Sequence, residues 1–391
     1  MSLQGLSVAV AFGSRSVEHE ISVITACQAM PILAELGAQV VPIYITKSGS
    51  WITDPSFAEL SSFRARLPEA GEPVLLDLAT GRLRAGSWSR LSRPRELAVD
   101  VLFPILHGTF GEDGTLAGLA AMARIPQVGG DTLSSALAMD KLRSKLVFQA
   151  AGLPVLPGRA ATGIAEARIA GGELGYPLVV KPNRGGSSIG VGLARDSGEL
   201  EQAVRVALEY DSQLVLEPEL AAARDLNCAV KRQEPRVSAV ERPFRSQGLL
   251  SYADKYAPSG KTELGAGPGK HSGGPKGDSA DPRRELPADI PEAAREEVQR
   301  LAVAAFDLLG CGGTARVDFL LSPSGELFLN EVNTIPGSLA FYLWAATGVT
   351  FPALLEELVN EALAPPDRRT LALPANLLGA DQLLGKVGTA G

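Results

Sequence analysis

The 391-residue sequence has few residues that bind soft metals or form covalent cross-links. It contains three cysteines and three histidines. Cys27, Cys228 and Cys311 are far apart and form no C-x-x-C pair, so neither a disulfide framework nor a zinc site is predicted, and a reducing compartment is expected. An H-E-x-x-H pattern is also missing, as are a nucleophile elbow of the G-x-S-x-G type at a strand-to-helix turn and a G-x-G-x-x-G after the first apolar run. These absences argue against zinc-hydrolase, serine-hydrolase and dinucleotide-binding chemistry.

An excess of positive charge and long apolar runs are missing as well. The net charge is −7, which argues against a general nucleic-acid surface. No apolar run approaches the length of a membrane span, and no basic region precedes the short apolar run at 6–12. We therefore predict a cytoplasmic protein with no nucleic-acid partner and no membrane insertion. Its length, with 45% hydrophobic residues, suffices for two or three packed units.

Apolar runs that alternate with helical stretches mark the first part of the chain. The runs "LSVAVAF", "AQVVPIYIT" and "DVLFPIL" are typical of buried parallel strands, and a helix is predicted at 24–36. This alternation predicts a parallel α/β unit whose ligands gather at the carboxyl ends of the strands. The segments "FGSRSVEHE" and "LHGTFGEDG" follow two of these strands. His107, in the second segment, suits a structural role as well as a functional one.

A second unit is predicted to begin at "MDKLRSKLVFQAAGLP". Asp140 suits a helix N-cap, and Gly152 with Pro154 ends the predicted helix. Two strands, "YPLVVKP" and "QLVLEPEL", are predicted to follow. The stretch 259–291 is rich in Gly, Pro and Ser and is predicted to be a long loop, since compact domains rarely carry such loops without a use. A helix at Glu292–Leu309, a hairpin and a helix near 351–364 are predicted after it.

The predicted hairpin gathers charged side chains. Its strands "TARVDFLL" and "ELFLNEVN" flank "SPSG", a strong turn signal. A two-residue loop at 323–324 would place Arg316 opposite Glu331, with Asp318 one diagonal step away. Because side chains alternate along a strand, this register puts Arg316, Asp318, Glu331 and Asn333 on one face.

Two carboxylates and an amide oxygen on that face form an all-oxygen donor set. Such a set suits Mg²⁺ or Mn²⁺ better than zinc, and magnesium sites of this kind also use substrate phosphates as ligands. The alternative is a cross-strand Arg–Glu pair on a solvated sheet face. The metal interpretation is favoured because Val317, Phe319 and Phe328 are predicted to turn the opposite face toward the core.

A second candidate site follows the strand "YPLVVKP". In "VVKPNRGGSSIGVG", Lys181 ends the strand and a Gly/Ser loop comes after it. Backbone N–H groups and the hydroxyls of Ser187 and Ser188 are suited to phosphate oxygens, with Lys181 as a point charge. The alternative is a flexible hairpin loop without a ligand, and the loop alone does not decide between the two.

Eight segments in one order resemble the D-alanine–D-alanine ligases of the ATP-grasp superfamily. They are "SVEHEIS", "LHGTFGEDGT", "ALAMDKLRSK", "VVKPNRGGSSIG", "LEPEL", "YADKY", "ARVDFLL" and "NEVNTIPG". The resemblance covers residues 7–362. It implies a mixed α/β chain with the ATP-grasp fold: an N-terminal parallel α/β domain (1–139) and two further domains (140–227 and 228–364) that clamp ATP between antiparallel sheets. The third domain would carry a lid loop at 250–291, and 365–391 would form a tail.

The resemblance also implies the reaction and its cofactors. ATP would phosphorylate the carboxylate of one D-alanine, and the amine of a second D-alanine would attack the acyl phosphate, in the service of peptidoglycan synthesis. Matched position by position, the ligands of two Mg²⁺ or Mn²⁺ ions would be Asp318, Glu331 and Asn333. The residues that would contact ATP are Lys141, Lys181, Ser188, Glu217, Asp225 and Lys255.

Further roles are implied by the same matching. Arg316 and the Gly337 N–H would stabilise the tetrahedral intermediate. Glu18, Ser187 and Tyr256 would form a hydrogen-bonded trio that holds the first amino acid and latches the loop, with His107 near that substrate. Two features depart from the family pattern. The ribose-binding acid is a displaced aspartate, Asp225, and "VGGDTLSS" carries Asp131 where a small residue is expected.

The segment after the Pro336-Gly337 turn departs most. The resemblance implies a polar, serine-containing stretch that binds the carboxylate of the second amino acid, but here the chain reads "SLAFYLW". Tyr342 and Leu343 fall at the carboxylate-binding positions. A tyrosine hydroxyl could donate one hydrogen bond and a backbone N–H another. The acceptor therefore stays open between D-alanine, D-lactate, D-serine or another small amino acid. A catalytically silent ATP-binding protein is a further alternative, and a homodimer is a family expectation.

Overall fold

The computed structural model describes residues 2–87, 93–244 and 284–364. Lys255, Tyr256, most of the 250–291 loop and the 365–391 tail lie outside the described residues. The strands are β1 Ser7–Gly13, β2 Gln39–Ile45, β3 Trp51–Thr53, β4 Glu72–Asp77, β5 Arg82–Ala85, β6 Arg95–Leu97, β7 Val101–Ile105, β8 Arg159–Ala161, β9 Leu178–Pro182, β10 Gly192–Ala194, β11 Leu214–Pro218, β12 Arg224–Lys231, β13 Arg242–Pro243, β14 Arg284–Glu285, β15 Thr314–Leu321 and β16 Leu327–Asn333.

The helices connect these strands. They are α1 His19–Glu35, α2 Ser61–Arg64, α3 Thr115–Ala123, α4 Thr132–Met139, α5 Lys141–Ala150, α6 Ile164–Leu174, α7 Ser197–Ala207, α8 Glu292–Leu309, α9 Phe341–Ala345 and α10 Phe351–Leu363, with 3-10 turns at Pro55–Ala58 and Gly337–Ala340. Within the described ranges, none of these helices combines the length and apolar character needed to cross a bilayer.

The first sheet has seven strands in the order β6-β5-β4-β3-β2-β1-β7. The predicted parallel arrangement is confirmed for β1, β2 and β7. The remaining strands add on in antiparallel fashion. Helix α1 begins at His19, five residues before the predicted start. His19 is fully buried there, and its Nε2 is 2.9 Å from the Tyr44 hydroxyl.

The second sheet is antiparallel, in the order β10-β9-β11-β8, and helices α6 and α7 cover one face of it. Asp140 is the predicted N-cap of the helix that leads into this sheet: its Oδ1 accepts a 2.9 Å hydrogen bond from the Arg143 N–H. Asp131 likewise caps α4 by accepting from the Ser134 N–H at 2.8 Å. The unexpected aspartate in "VGGDTLSS" is therefore explained by helix capping.

The third sheet is antiparallel, in the order β12-β15-β16, and helix α8 packs on its core face. Helix α8 has the predicted bounds. The odd-numbered residues of β15 point into this core and the even-numbered residues point away from it, as the predicted alternation requires. The second and third sheets turn their other faces toward a common cleft.

The register of the β15–β16 hairpin differs from the prediction. Asp318 pairs with Glu331, and Arg316 pairs with Asn333. The turn is one residue longer than predicted, since the Ser322 N–H bonds to the Glu326 carbonyl, and a β-bulge interrupts the ladder after Asp318. The extra residue is Asn330. Arg316, Asp318, Glu331 and Asn333 still share one face, as predicted. The longer turn and the bulge together produce this arrangement, rather than a two-residue turn.

The bulge also changes which residues of β16 enter the core. Leu329 is 1% exposed and belongs to the core with Phe319 and Val317, whereas Phe328 is half-buried and lies opposite Leu320. The prediction that Phe328 faces the core is therefore wrong. An extra residue in one strand reverses the alternation beyond it, so Leu329 and Val332 can both point inward.

The segment after β16 packs into the core of the first unit. Ser338, Leu339 and Ala340 have positive φ angles of 50°, 52° and 53°. After this left-handed turn, Leu343 and Trp344 are fully buried in the same core cluster as residues of α1, β1 and β7, and the Trp344 indole N–H donates to the Thr314 hydroxyl of β15 at 3.0 Å. The apolar "SLAFYLW" is thus a packing segment as well as a neighbour of the site.

We expect Leu329→Ala to destabilise the protein by about 2–5 kcal/mol, because it leaves a cavity in the core between helix α8 and the third sheet. Leu308→Ala is the matched control, since Leu308 is 41% exposed on α8. Urea unfolding followed by circular dichroism measures both. Equal losses for the two variants would contradict the placement of Leu329 by the bulge.

Candidate active site

A cleft lined by many charged and polar side chains lies between the second and third sheets. Its walls come from β9, the 185–191 loop, β11, the 217–220 connection, β12 and the β15–β16 hairpin. The sequence-predicted residues that line it are Lys141, Lys181, Ser187, Ser188, Glu217, Asp225, Asp318 and Glu331. The structure therefore brings together the metal-ligand candidates Asp318 and Glu331, the Gly/Ser loop and the two predicted lysines among the described residues.

Lys141 and Lys181 reach the cleft from different elements. The Lys141 ammonium donates to the Gly185 carbonyl at 2.6 Å and lies 3.2 Å from Glu331 Oε2. Lys181 projects from β9 and donates to Glu217 at 2.6 Å and to the Asn330 side-chain oxygen at 3.1 Å. Asn330 is the bulge residue, so the irregularity in the hairpin also supplies a contact to a cleft lysine.

Glu217 is buried between two lysines. Its carboxylate is 2.7 Å from the ammonium of Lys145 and 2.6 Å from that of Lys181. Burial by itself raises the pKa of Glu217, but the two lysines override it and lower the pKa to about 2. Lys145, on α5, was not predicted as a site residue. Its place four residues after Lys141, on the same helical face, was the available signal.

The Gly/Ser loop adopts a strained conformation. Ser187 and Ser188 have φ angles of 51° and 59°, in the left-handed region that non-glycine residues avoid. The Ser187 hydroxyl donates to a Glu18 carboxylate oxygen, which joins the loop to the first unit. A Cβ on Gly186 would lie 2.5 Å from Glu18 Oε2, so this approach requires glycine.

A smaller polar pocket adjoins the cleft. It is lined by Glu18, His107, Glu112, Ser187, Arg316, Asn333, Ile335, Pro336 and Gly337. Each of the predicted substrate residues Glu18, His107, Ser187, Arg316 and Gly337 is among them. Glu18 is 5% exposed, and its Oε2 has no hydrogen-bond partner among the described residues.

His107 is fixed by two hydrogen bonds. Its Nδ1 donates to the Ile335 carbonyl at 2.7 Å, so Nε2 accepts from the Thr25 hydroxyl at 3.0 Å. The Thr25 oxygen in turn accepts from the Ser338 N–H at 3.1 Å. Burial lowers the pKa of His107, which favours the neutral ring that this pattern requires. His107 therefore orients the Pro336-Gly337 turn over the pocket.

Glu112 is a pocket residue that the sequence analysis missed. It accepts from the Gly108 N–H at 2.8 Å and from the Ile335 N–H at 3.1 Å. Burial and the nearby charge of Glu18 raise the pKa of Glu112 to about 8. The signal was available in the acidic pair of "GEDG", in the same segment as His107.

Arg316 and Asp318 connect the cleft to the pocket. The guanidinium donates two hydrogen bonds of 2.7 Å to the Asp318 carboxylate, and the Asn333 amide donates to the same carboxylate at 3.1 Å. Asp318 lines the cleft, whereas Arg316 and Asn333 line the pocket. Two carboxylates directly opposite each other, with an amide oxygen beside them, are hard oxygen donors that fit a magnesium-type ion.

The two predicted acceptor residues occupy different environments. Leu343 has a fully buried side chain in the first unit's core, so its backbone alone is suited to a ligand. The Tyr342 hydroxyl, which was predicted to serve a substrate carboxylate, donates instead to Glu241 Oε1 at 2.7 Å. Burial, with the charge of Glu241 adding to it, raises the pKa of Tyr342, so the phenol stays protonated.

Two antiparallel sheets that enclose a lysine-lined cleft, preceded by an α/β unit, define the ATP-grasp class of fold. The family described as "D-ala D-ala ligase N-terminus" matches residues 7–130, and that described as "D-ala D-ala ligase C-terminus" matches residues 147–267 and 276–360. These matches cover most of the chain. The chain belongs to the D-alanine–D-alanine ligase family.

Relatives agree with this assignment along almost the whole length. A D-alanine–D-alanine ligase of Thermosipho melanesiensis is 33% identical over 95% of this chain and 98% of its own, and one of Paenarthrobacter aurescens is 37% identical over 91% and 94%. Among solved structures, the VanG D-Ala:D-Ser ligase of Enterococcus faecalis is 30% identical with a TM-score of 0.74, over 92% of this chain and 100% of that one. The D-alanine–D-alanine ligase of Coxiella burnetii is 26% identical with a TM-score of 0.70, over 92% and 94%.

Glu217→Gln should lower the free energy of unfolding at neutral pH by about 3–5 kcal/mol, because it leaves two buried lysines without a counter-ion. The folded pKa of Glu217 lies below its ordinary value of 4.5. Its contribution is therefore complete above pH 4.5 and is lost as the pH falls toward about 2. Urea unfolding should show nearly the same difference between wild type and variant at pH 7 and pH 5, and a smaller difference at pH 3.5.

The matched control for that experiment is Glu96→Gln, which removes an exposed carboxylate 2.6 Å from Arg82. Its effect on stability should be small at every pH, because exposed ion pairs contribute little. A Glu217→Gln penalty that stayed constant from pH 7 to pH 3.5 would contradict the ion-pair account.

Proposed function

We propose that this protein joins two D-alanine molecules into D-alanyl-D-alanine at the expense of ATP, for peptidoglycan synthesis. The observation that carries the proposal is that the lysine-lined cleft and the small polar pocket share the Ser187 loop as a common wall. A phosphoryl group in the cleft and a carboxylate in the pocket would meet there. Family membership and the relatives' names support this reaction over the alternatives.

The cleft is suited to the nucleotide. Lys141 and Lys181 would pair with phosphate oxygens, and the backbone of the 185–188 loop would cover them. Glu217 and Asp225 line the same cleft and remain our candidates for the adenine and ribose contacts. Lys255 would complete the phosphate contacts. The three-domain division at 139/140 and 227/228 is proposed with this arrangement.

Asp318, Glu331 and Asn333 would hold two Mg²⁺ or Mn²⁺ ions beside the nucleotide phosphates. Bound there, the ions would neutralise charge on the β- and γ-phosphates. In the structure, Arg316 already pairs with Asp318 and Lys141 with Glu331, which orients the two carboxylates. The arrangement is therefore compatible with a cation in front of it.

The small pocket is suited to the first D-alanine. Glu18 Oε2, which is buried and has no hydrogen-bond partner among the residues that the structure describes, would accept from its ammonium group, and the neutral His107 would keep the Pro336-Gly337 turn in place. The γ-phosphoryl group would pass to the D-alanine carboxylate, and ADP would leave. The amine of the second D-alanine would then attack the acyl carbon, and inorganic phosphate would be released.

Arg316 and the Gly337 N–H both line this pocket and would stabilise the oxyanion that forms during that attack. Tyr256 and the loop around it would close over the acyl phosphate and exclude water. A cytoplasmic location and a homodimeric assembly are part of the same proposal, since they are what the family implies.

Purified protein with MgATP should release phosphate only when D-alanine is supplied, and each phosphate should be accompanied by one dipeptide. A malachite-green assay and chromatography of the product measure the two. L-Alanine is the control and should give neither. D-Serine and D-lactate, offered with D-alanine, test the sibling acceptors. Phosphate release with another amino acid and none with D-alanine would contradict the proposal.

Glu331→Gln should reduce turnover by at least about 100-fold, because a neutral amide is a weaker ligand than a carboxylate for the ions that would neutralise the nucleotide phosphates. Mn²⁺ binding to the ADP-loaded protein, followed by electron paramagnetic resonance, should weaken in parallel. Glu326→Gln is the matched control on the same hairpin, where the carboxylate contacts only Ser324 among the described side chains. Near-normal turnover and Mn²⁺ binding in Glu331→Gln would refute the metal assignment.

A further inference from the structure

A row of polar side chains crosses the third sheet on the face that lines the cleft. Glu331 pairs with Asp318, Asp318 pairs with Asn227, and Asn227 pairs with Glu241. Residues directly opposite each other on neighbouring strands project to the same side of a sheet. Glu241 is therefore the fourth member of the row that carries the metal-ligand candidates, although it lies 90 residues earlier in the chain than Glu331.

The Glu241 carboxylate is buried, and both of its oxygens accept hydrogen bonds. It is 2% exposed, and its Oε1 accepts from the Asn227 amide at 3.1 Å and from the Tyr342 hydroxyl at 2.7 Å. Its Oε2 accepts from the Arg284 guanidinium at 3.1 Å. One carboxylate thus binds a residue of the nucleotide cleft, a residue of α9 and a residue of β14.

Arg284 and Tyr342 are also in contact with each other. The guanidinium carbon of Arg284 lies 4.1 Å from the centre of the Tyr342 ring, within the range of a cation–π interaction. Glu241 fixes both ends of this stack, because it bonds to the hydroxyl on one side and to the guanidinium on the other. The turn at Gly337–Ala340 leads directly into the helix that carries Tyr342, and Gly337 lines the small pocket, so a short segment connects the stack to that pocket.

We propose that Glu241 is a positioning residue for the acceptor side of the site, acting through Tyr342 and Arg284. This inference rests on the proposed ligase function. In it, the Tyr342 hydroxyl does not bind the acceptor's carboxylate, because its proton is donated to Glu241. The Tyr342 ring and the Arg284 cation form the wall that the acceptor meets, and Glu241 sets the orientation of that wall relative to Asp318 and Glu331.

The role predicts a particular defect. If the wall is misplaced, ATP still phosphorylates the first amino acid, but the second binds poorly and water consumes the acyl phosphate. The number of phosphates released per dipeptide formed should therefore rise. A loss of general stability would lower both products together and leave their ratio unchanged, so the ratio separates positioning from folding.

The experiment compares Glu241→Gln, Glu241→Ala and Tyr342→Phe with wild type on MgATP and D-alanine. Loss of a hydrogen bond to a buried charged group corresponds to about a 10- to 100-fold rise in the acceptor's KM. The KM for ATP should stay near the wild-type value, and phosphate per dipeptide should exceed one. Glu241→Gln keeps the volume and an accepting oxygen for Tyr342, so it should show a smaller defect than Glu241→Ala.

The double variant Glu241→Ala/Tyr342→Phe tests whether the two residues act as one unit. Its rise in the acceptor's KM should be no larger than that of Glu241→Ala alone, because the second change removes a bond already lost. Asp307→Asn and Tyr176→Phe are matched controls. Asp307 forms an exposed ion pair with Arg236, and Tyr176 is 38% exposed.

The outcomes distinguish the two proposals. Wild type that forms no dipeptide would overturn the ligase function and this inference with it. Wild type that forms dipeptide, with a normal acceptor KM and a ratio of one in Glu241→Gln, Glu241→Ala and Tyr342→Phe, would overturn the role of Glu241 alone. Equal rises in the KM values for ATP and for the acceptor would show a structural role without acceptor positioning.

Discussion

The pairing of β15 with β16 is the constraint on which the candidate site depends. One extra residue, Asn330, lets Leu329 and Val332 face the core while Glu331 lies opposite Asp318. The same residue reaches Lys181 with its side-chain oxygen. Without the bulge, a strand with this sequence would have to expose Leu329 or bury Glu331. The site geometry and the core packing are therefore satisfied by one local irregularity.

A second dependence links the site to the first unit. The turn at Gly337–Ala340 is left-handed over three non-glycine residues, a conformation that costs free energy. Burial of Leu343 and Trp344 in the first unit's core offsets that cost, as does the Thr25 bond to the Ser338 N–H. The apolar residues that depart from the expected polar stretch thus hold the pocket's wall against the α/β unit.

The charges that line the cleft are paired within the protein itself. Lys145 and Lys181 form ion pairs with Glu217, and Lys141 forms one with Glu331. Lys141 and Lys181 were predicted, because their motifs are contiguous in sequence. Lys145 and Glu112 were missed although each had a local signal, the four-residue spacing from Lys141 and the acidic pair of "GEDG". Glu241 was missed because Tyr342 and Arg284 come from distant segments that only tertiary packing brings within hydrogen-bond distance.

The sequence by itself determined the strand–helix alternation, the capping by Asp140, the extent of helix α8 and the ordered motifs that place the chain in its family, because these depend on local propensity and spacing. Tertiary structure decided the mixed sheet, the hairpin register, the burial of Leu329 rather than Phe328, and the bond between Tyr342 and Glu241. These depend on which surfaces pack together and on one inserted residue. A period-two pattern cannot reveal them, because a bulge reverses that pattern without leaving a mark on composition.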